Sequence, residues 1–352
     1  MALRSGWWCV VYPEAVGRPA LILAALAADA ASGKKFRHFR RSDQGPDLDA
    51  LQLFDEAGEG FELIVPAGVA GIAEQAQLMA GLRAISQASA TLPFAVPKLV
   101  GQTTDNDLPV ILLTVLEGQS PDLSKYAPGE FSKSIGEALA AIHNLDPAVV
   151  IDAGLPEYDS SRILQTKVAD VDSAAATGKV PSSLLSRWEE ALEDVGLFRF
   201  HPTVVHGSIS DQNIFVQGSN ISGISGWSSL SIADPAEDLK YLAGGALPST
   251  FEDALLNYRA KRPIADENIA QRAALYSEIE LASWLNHCLQ LGDENLIAEA
   301  QAMLDDLAQQ LAAGALKPLR AAGFIGLGAA IATTPISQSQ VEPTPADSDE
   351  LF

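Results

Sequence analysis

The sequence predicts an α+β protein in two lobes, a strand-rich lobe followed by a mostly helical one. Three observations lead there. Strand-like apolar runs separated by turn residues dominate the first part. From about residue 117, apolar residues recur at helical spacing. A short strand-and-loop island over residues 203–235 then interrupts the helices. The 352 residues are 47% hydrophobic, which is enough to bury a large core. The expected boundaries are 1–116 for the N-terminal lobe, 117–320 for the helical lobe and 321–352 for a disordered acidic tail.

The elements follow in order. "RPALILAALAADAASG" combines an apolar run with an Ala-x-Ala ending, but it starts behind "WWCVVYPE". Pro19 suits the first turn of an ordinary helix there, so a secretory signal is not the reading. "KKFRHFRR", Lys34 to Arg41, reads as a solvated strand or loop. "ALQLFDEAGEGFELIVPA" has two apolar runs around an acidic, glycine-containing turn, a hairpin signal. "AGIAEQAQLMAGLRAI" is a helix, with Ile72, Leu78, Leu82 and Ile85 assigned to its apolar face. "VPKLVGQ" and "LPVILLTVLEG" are strands, and the unbroken apolar run of the second suits a buried position.

In the second lobe, "SKSIGEALAAIHNL" sets Ile135, Leu139 and Ile142 on one face, with His143 beside them as a satisfied core histidine. Leu275, Ile279, Leu285 and Leu289 mark a further helix, and Leu296, Met303, Leu307 and Leu311 another. The end, "TTPISQSQVEPTPADSDELF", is rich in Pro, Ser, Thr and acid and predicts disorder. Its "DSDELF" terminus is a candidate docking peptide. "GFIGLGAAIATTPI" is too short and too rich in glycine to span a bilayer.

Charge narrows the function. A formal net charge of −22 and a pI near 4.5 exclude nucleic acid as the expected partner, because phosphate backbones require clustered Lys and Arg. Nor is a membrane expected. Two cysteines, Cys9 and Cys288, are too few for a disulfide framework or a zinc site, which suits a reducing cytoplasm.

The island contains "VVHGSISDQNIF", Val204 to Phe215, a loop of the shape that carries phosphoryl-transfer chemistry. Such transfer needs a cation on the phosphates, oxygen ligands for Mg²⁺ and an acceptor for the substrate hydroxyl's proton. Seven separated stretches, in order over about residues 60–245, resemble the aminoglycoside and macrolide phosphotransferase family, relatives of choline kinases on a protein-kinase-like fold. They are "FELIVPAG", "AEQAQLMAGL", "LPFAVPKLV", "VILLTVLEGQSP", "IGEALAAIHNL", "VVHGSISDQNIFV" and "ISGISGWSSLSIADPAEDLKYL".

The resemblance assigns roles by position, and three charged roles are vacant. The family's catalytic base aspartate falls on Ser208, whose hydroxyl is no proton acceptor at neutral pH. Its metal-binding aspartate, next to Trp227, falls on Gly226, which offers no side-chain ligand. Its phosphate-binding cation falls on Ile64, and no Lys or Arg lies between Arg41 and Arg83. The same positions leave Glu74, Thr114, Leu116, His206, Asn213, Asp234 and Asp238 as nucleotide- or loop-binding candidates, with Asn213 the one possible metal ligand. Asp211, three residues past Ser208, is the possible substitute base.

A catalytically degenerate pseudokinase is therefore the leading reading, one that binds a nucleotide, a small molecule or a protein partner. The alternative is an active kinase with relocated residues centred on Asp211, Asn213 and Asp234; only this alternative calls for ATP and Mg²⁺ as working cofactors.

Overall fold

In order, α1 (Ala20–Ala30), β1 (Phe36–Ser42), β2 (Leu48–Asp55), β3 (Gly60–Pro66), α2 (Val69–Ala88), β4 (Leu99–Asp105) and β5 (Leu108–Thr114) build the N-terminal lobe. The structure, a computed structural model, describes residues 17–31, 33–42, 45 and 47–321. Cys9, the segment "GFIGLGAAIATTPI" and all of the expected tail after Ala321 lie outside the described residues. The five strands form one antiparallel sheet in the order β1-β2-β3-β5-β4. The acidic turn after Asp55 closes the expected hairpin between β2 and β3. The basic run is β1, an exposed edge strand, as edge strands often are when charged. Apolar β5 is interior, between β3 and β4. Pro19 stands just outside α1 rather than in its first turn.

Strand alternation splits the sheet into two faces. Leu51, Leu53, Phe61, Leu63, Val65, Val110 and Leu112 pack with Leu23 and Ala27 of α1. Ile64, Ile111 and Leu113 face the other way and join Leu78, Met79, Leu82 and Ile85 of α2 in a core that continues into the second lobe. The lobes therefore share one apolar interior, in which each fully buried Leu or Ile contributes roughly 1.5–3 kcal/mol. Ile72 does not belong to it: that side chain is exposed, and the buried face of α2 runs Gly71, Gln75, Leu78, Leu82, Ile85. A spacing of four and three residues defines that stripe, and residue 72 lies off it.

The second lobe follows with α3 (Glu130–His143), α4 (Ala148–Ile151), α5 (Ser160–Ala176) and α6 (Ser182–Glu193). The island comes next, with β6 (Thr203–Val205), β7 (Ile214–Gln217), β8 (Asn220–Ile224) and β9 (Ser231–Ala233). It pairs β6 with β9 and β7 with β8, both antiparallel. Then come α7 (Ala236–Gly245), α8 (Pro248–Lys261), α9 (Ile269–Leu291) and α10 (Glu294–Ala312). α3 and α8 approach so closely at Gly136 that a Cβ there would lie 2.3 Å from the Ala254 carbonyl oxygen. Among the described residues, no helix is long and apolar enough to cross a membrane.

The two lobes meet at the segment after β5. Val115 N–H donates to Gly60 O at 2.9 Å, and Ala95 N–H donates to Ser222 O at 2.9 Å. Leu116 is buried against Gly223, where any side chain would collide with it. These contacts fix the sheet over the island that carries the loop.

Candidate active site

The loop begins where β6 ends. His206 is fully buried, its ring edge-on to Trp227 at 4.5 Å between centroids. Its Nε2 lies 2.7 Å from the Ser225 carbonyl oxygen. A carbonyl can only accept, so Nε2 carries the proton and Nδ1 is left as an acceptor. Ser208 N–H donates to that Nδ1 at 3.3 Å. Burial pushes the imidazole below its ordinary pKa, against the opposing pull of Asp238, and keeps it neutral. At Gly207, φ is +82° and a Cβ would sit 2.6 Å from Ser229 O, so only glycine fits this turn.

Asp238 anchors the loop from below. Its carboxylate accepts from His206 N–H at 2.8 Å and from Gly207 N–H at 2.7 Å. His143 Nε2 lies 3.0 Å from the same carboxylate and its Nδ1 lies 2.8 Å from Tyr258 Oη. Burial alone would raise the Asp238 pKa, but these partners outweigh it and lower it. His143 is thus the satisfied core histidine expected of it.

Asn213 is engaged at both ends of its amide. Oδ1 accepts from Ser210 N–H at 2.9 Å and Nδ2 donates to Ser208 O at 2.5 Å. The side chain ties its own loop, an arrangement that needs no metal. Gly226 faces it: φ is +77°, and a Cβ added there would lie 3.1 Å from Asn213 Nδ2. Ser208 completes the group, with its Oγ 3.3 Å from Gly226 O. Three of the family positions therefore converge, and none offers a carboxylate.

Asp234 is elsewhere. It is fully buried in the helical lobe, where Arg272 Nε and Nη2 donate to its two oxygens at 2.6 and 3.0 Å and Tyr276 Oη donates at 2.7 Å. It also accepts from Ala236 N–H at 2.9 Å at the start of α7. The arrangement centred on Asp211, Asn213 and Asp234 is corrected by this ion pair: Asp234 is committed to Arg272 and is no ligand of the loop.

In the N-terminal lobe, Ile64 is buried in the core. Its neighbour on α2 is Gln75, not Glu74. The Gln75 amide donates to Ile64 O at 3.0 Å and to Pro109 O at 3.2 Å. Glu74 is half-buried, and burial, then nearby Asp47, raises its carboxyl pKa. Among the described residues it makes no ion pair. Gln75 was missed because a single buried amide leaves no mark on apolar periodicity; the stripe through Gly71 and Leu78 is the signal that points to it. Thr114 is tied to Lys98, with Lys98 N–H donating to Thr114 Oγ1 at 3.0 Å and Thr114 N–H to Lys98 O at 2.9 Å.

Asp211 differs from the rest. Its Oδ1 is buried and, among the described residues, has no hydrogen-bond partner. Burial raises its pKa, partly offset by the backbone N–H groups of Asp211 and Gln212. An open concavity of about 560 Å³ lies beside the segment between the lobes and β7, lined in part by Gln119, Tyr126 and Val216. Ile64, Ser208 and Gly226 do not line it.

Mg²⁺ needs several hard oxygens in near-octahedral array. Gly226 supplies none, the Asn213 oxygen already accepts from Ser210, and Asp234 belongs to Arg272. Among the described residues, no group of three His, Cys, Asp or Glu side chains is placed to hold a metal ion. The residues present do not fit the ion.

Comparison with solved structures confirms the architecture. The macrolide 2'-phosphotransferase MphH from Brachybacterium faecium, as apoenzyme, superposes with a TM-score of 0.67 at 20% identity, over 81% of this chain and 98% of that one. A type I macrolide 2'-phosphotransferase gives 0.66 at 22% identity, over 81% and 95%. The GDP complex of wild-type aminoglycoside 2'-phosphotransferase-IIIa gives 0.67 at 16% identity, over 82% and 98%. At these identities the likeness establishes the two-lobed, protein-kinase-like fold. No curated protein matches the sequence. A family model described as the phosphotransferase enzyme family matches residues 64–276, more than half of the length, and the chain belongs to that family.

Proposed function

We propose that the protein is a pseudokinase of the phosphotransferase family, a scaffold that binds a ligand or partner without efficient phosphoryl transfer. One observation carries the reading: Ser208, Asn213 and Gly226 converge on one spot that presents hydroxyl, amide and glycine where the chemistry calls for two carboxylates. Loss of the general base alone typically lowers rate by about 10²–10⁴-fold. Loss of the metal ligand and of the cation removes the electrostatic stabilisation that dominates this reaction class. The bound species is a small molecule, a nucleotide held without turnover or a protein.

The experiment is direct. ATP hydrolysis and phosphate transfer are measured against a panel of hydroxylated acceptors, with and without Mg²⁺. No turnover above background is expected; Mg²⁺-dependent turnover at ordinary enzyme rates refutes the reading.

A second reading has one observation in its favour. The unpartnered buried oxygen of Asp211, with its raised pKa, has the character of a general base awaiting a donor. On that reading the protein is an ATP-dependent kinase acting on an antibiotic or metabolite hydroxyl. Turnover abolished by Asp211→Asn supports it.

A further inference from the structure

We infer that the concavity beside the inter-lobe segment is a binding site for a small, neutral, polyhydroxylated ligand of the saccharide class. Ile64, Ser208 and Gly226 lie outside its lining, so its occupancy does not depend on whether the loop transfers phosphate.

Two rigid pieces of chain line the space. The first is the segment after Leu116, which pairs with β7. Gln119 N–H donates to Val216 O at 3.0 Å, and Val216 N–H donates to Gln119 O at 2.9 Å. Gly118 has φ +127°, and a Cβ there would lie 2.7 Å from Ser222 Oγ and 2.8 Å from Val216 O, so only glycine allows this approach. Ser222 Oγ donates to Glu117 O at 2.5 Å and closes the same junction. The second piece is Tyr126. Its ring stacks on Phe131, with 3.9 Å between centroids and 16° between planes, and Thr250 Oγ1 donates to its carbonyl oxygen at 2.6 Å. Walls fixed in advance lower the ordering cost of binding. The space, about 560 Å³, falls within the roughly 300–1,000 Å³ of small-ligand sites.

The lining decides the class of ligand. Gln119, Ser120, Gln217 and Tyr126 supply its polar side chains, Val216 and two glycines complete it, and all are uncharged. The charges nearest in sequence are engaged. Gln217 Nε2 donates to Glu117 Oε2 at 2.8 Å, and Lys125 pairs with Asp122 at 2.9 Å. A phosphorylated or carboxylated ligand therefore meets no cation in the lining, in a chain of net charge −22. An ammonium group meets no carboxylate there. A wholly apolar ligand strips water from the Gln119 and Ser120 side chains and returns no hydrogen bond. A neutral diol suits both, because each amide and hydroxyl offers a donor and an acceptor. The Gln119–Val216 pairing is made by backbone alone and leaves the Gln119 side chain out of it. The half-buried Tyr126 ring adds an apolar surface with a polar tip, against which the C–H face of a sugar ring can pack.

Saturation-transfer NMR titration with cellobiose, lactose and sucrose tests this on wild type, Tyr126→Ala and Gln119→Ala. Glucosamine and glucose 6-phosphate serve as charged counterparts. At least one neutral disaccharide is expected to bind wild type with a Kd of about 1 mM or tighter. Tyr126→Ala removes the ring and is expected to abolish the signal. Gln119→Ala changes an exposed side chain and keeps the backbone pairing, so it guards against a folding defect in the tyrosine variant. It should weaken binding about three- to tenfold, the worth of one hydrogen bond. No binding by any of the three disaccharides, binding that Gln119→Ala leaves unchanged, or tighter binding of either charged sugar overturns the inference. ATP turnover by wild type bears on the pseudokinase reading alone.

Discussion

Gly226 presents its open α-carbon to the side chain of Asn213: a Cβ at residue 226 would lie 3.1 Å from Asn213 Nδ2 and 3.2 Å from Asn213 Cβ. The backbone there is left-handed, at φ +77°. Introducing a carboxylate by Gly226→Asp aims it at Asn213, at a cost of roughly 1–2 kcal/mol in backbone conformation and contact. Aspartate is among the residues that tolerate this region, and a β-branched residue is not. Urea denaturation is expected to rank wild type above Gly226→Asp and Gly226→Asp above Gly226→Val. On the proposed pseudokinase reading, Gly226→Asp alone is expected to gain no transfer activity, because Ser208 and Ile64 remain.

Asp234 and Arg272 form a fully buried ion pair, and Arg272 is shared with Asp266 at 2.8 Å. Breaking such a pair from one side leaves a charge in the core, at about 3–5 kcal/mol. Arg272→Met is therefore expected to be severely destabilising in chemical denaturation. Asp234→Asn is milder, since Asp266 still balances the guanidinium. The double variant should recover part of the loss, the sign of a direct coupling.

Much of this was legible in the sequence because apolar periodicity and turn residues report on burial. The β2–β3 hairpin, interior β5 and helices α3, α9 and α10 all follow from them. The loop that brings Ser208, Asn213 and Gly226 together was legible as one polar island between helices. Polar partners were not. Nothing in the spacing of Asp234 and Arg272, 38 residues apart, announces their pairing. Gln75 and Ile72 exchanged places for a similar reason: an apolar residue was assigned to a stripe that α2 fills with an amide.

The stability of the helical lobe should fall in acid, and Glu237 is the group to test. Burial would raise its carboxyl pKa, but Lys167 and Lys240, at 2.7 and 3.2 Å, hold it at about 2 against an ordinary 4.5. A depressed folded pKa stabilises above the unfolded value and is lost as pH falls through the folded one. The contribution, on the order of 3 kcal/mol, is thus complete at neutral pH and disappears between about pH 4.5 and 2. Neutral buried His206 and depressed Asp238 act in the same direction, whereas the raised pKa values of Glu74, Asp170 and Asp211 oppose it. The difference in unfolding free energy between wild type and Glu237→Gln isolates the term. It should be largest at neutral pH and shrink across that window; a difference independent of pH contradicts the assignment.

Two residues seat α2, Gly81 against the island and Gln75 against the sheet. At Gly81 a Cβ would lie 1.9 Å from the Trp227 carbonyl oxygen, so Gly81→Ala must push the helix off the turn next to Gly226. Overpacking of this kind typically costs about 1–3 kcal/mol, and backbone against backbone lies at the upper end. Gln75→Leu keeps the volume but takes the amide donor from the buried carbonyl of Ile64 and the partly buried carbonyl of Pro109, at about 1–3 kcal/mol. The two effects differ in kind. Gly81→Ala should expose amides around residues 225–229 to hydrogen exchange, because it displaces the helix from the island. Gln75→Leu should loosen residues 63–66 and 109–111 in the sheet and leave the island protected. Identical exchange patterns for the two variants contradict this division, since α2 would then move as one lever rather than resting on two separate contacts.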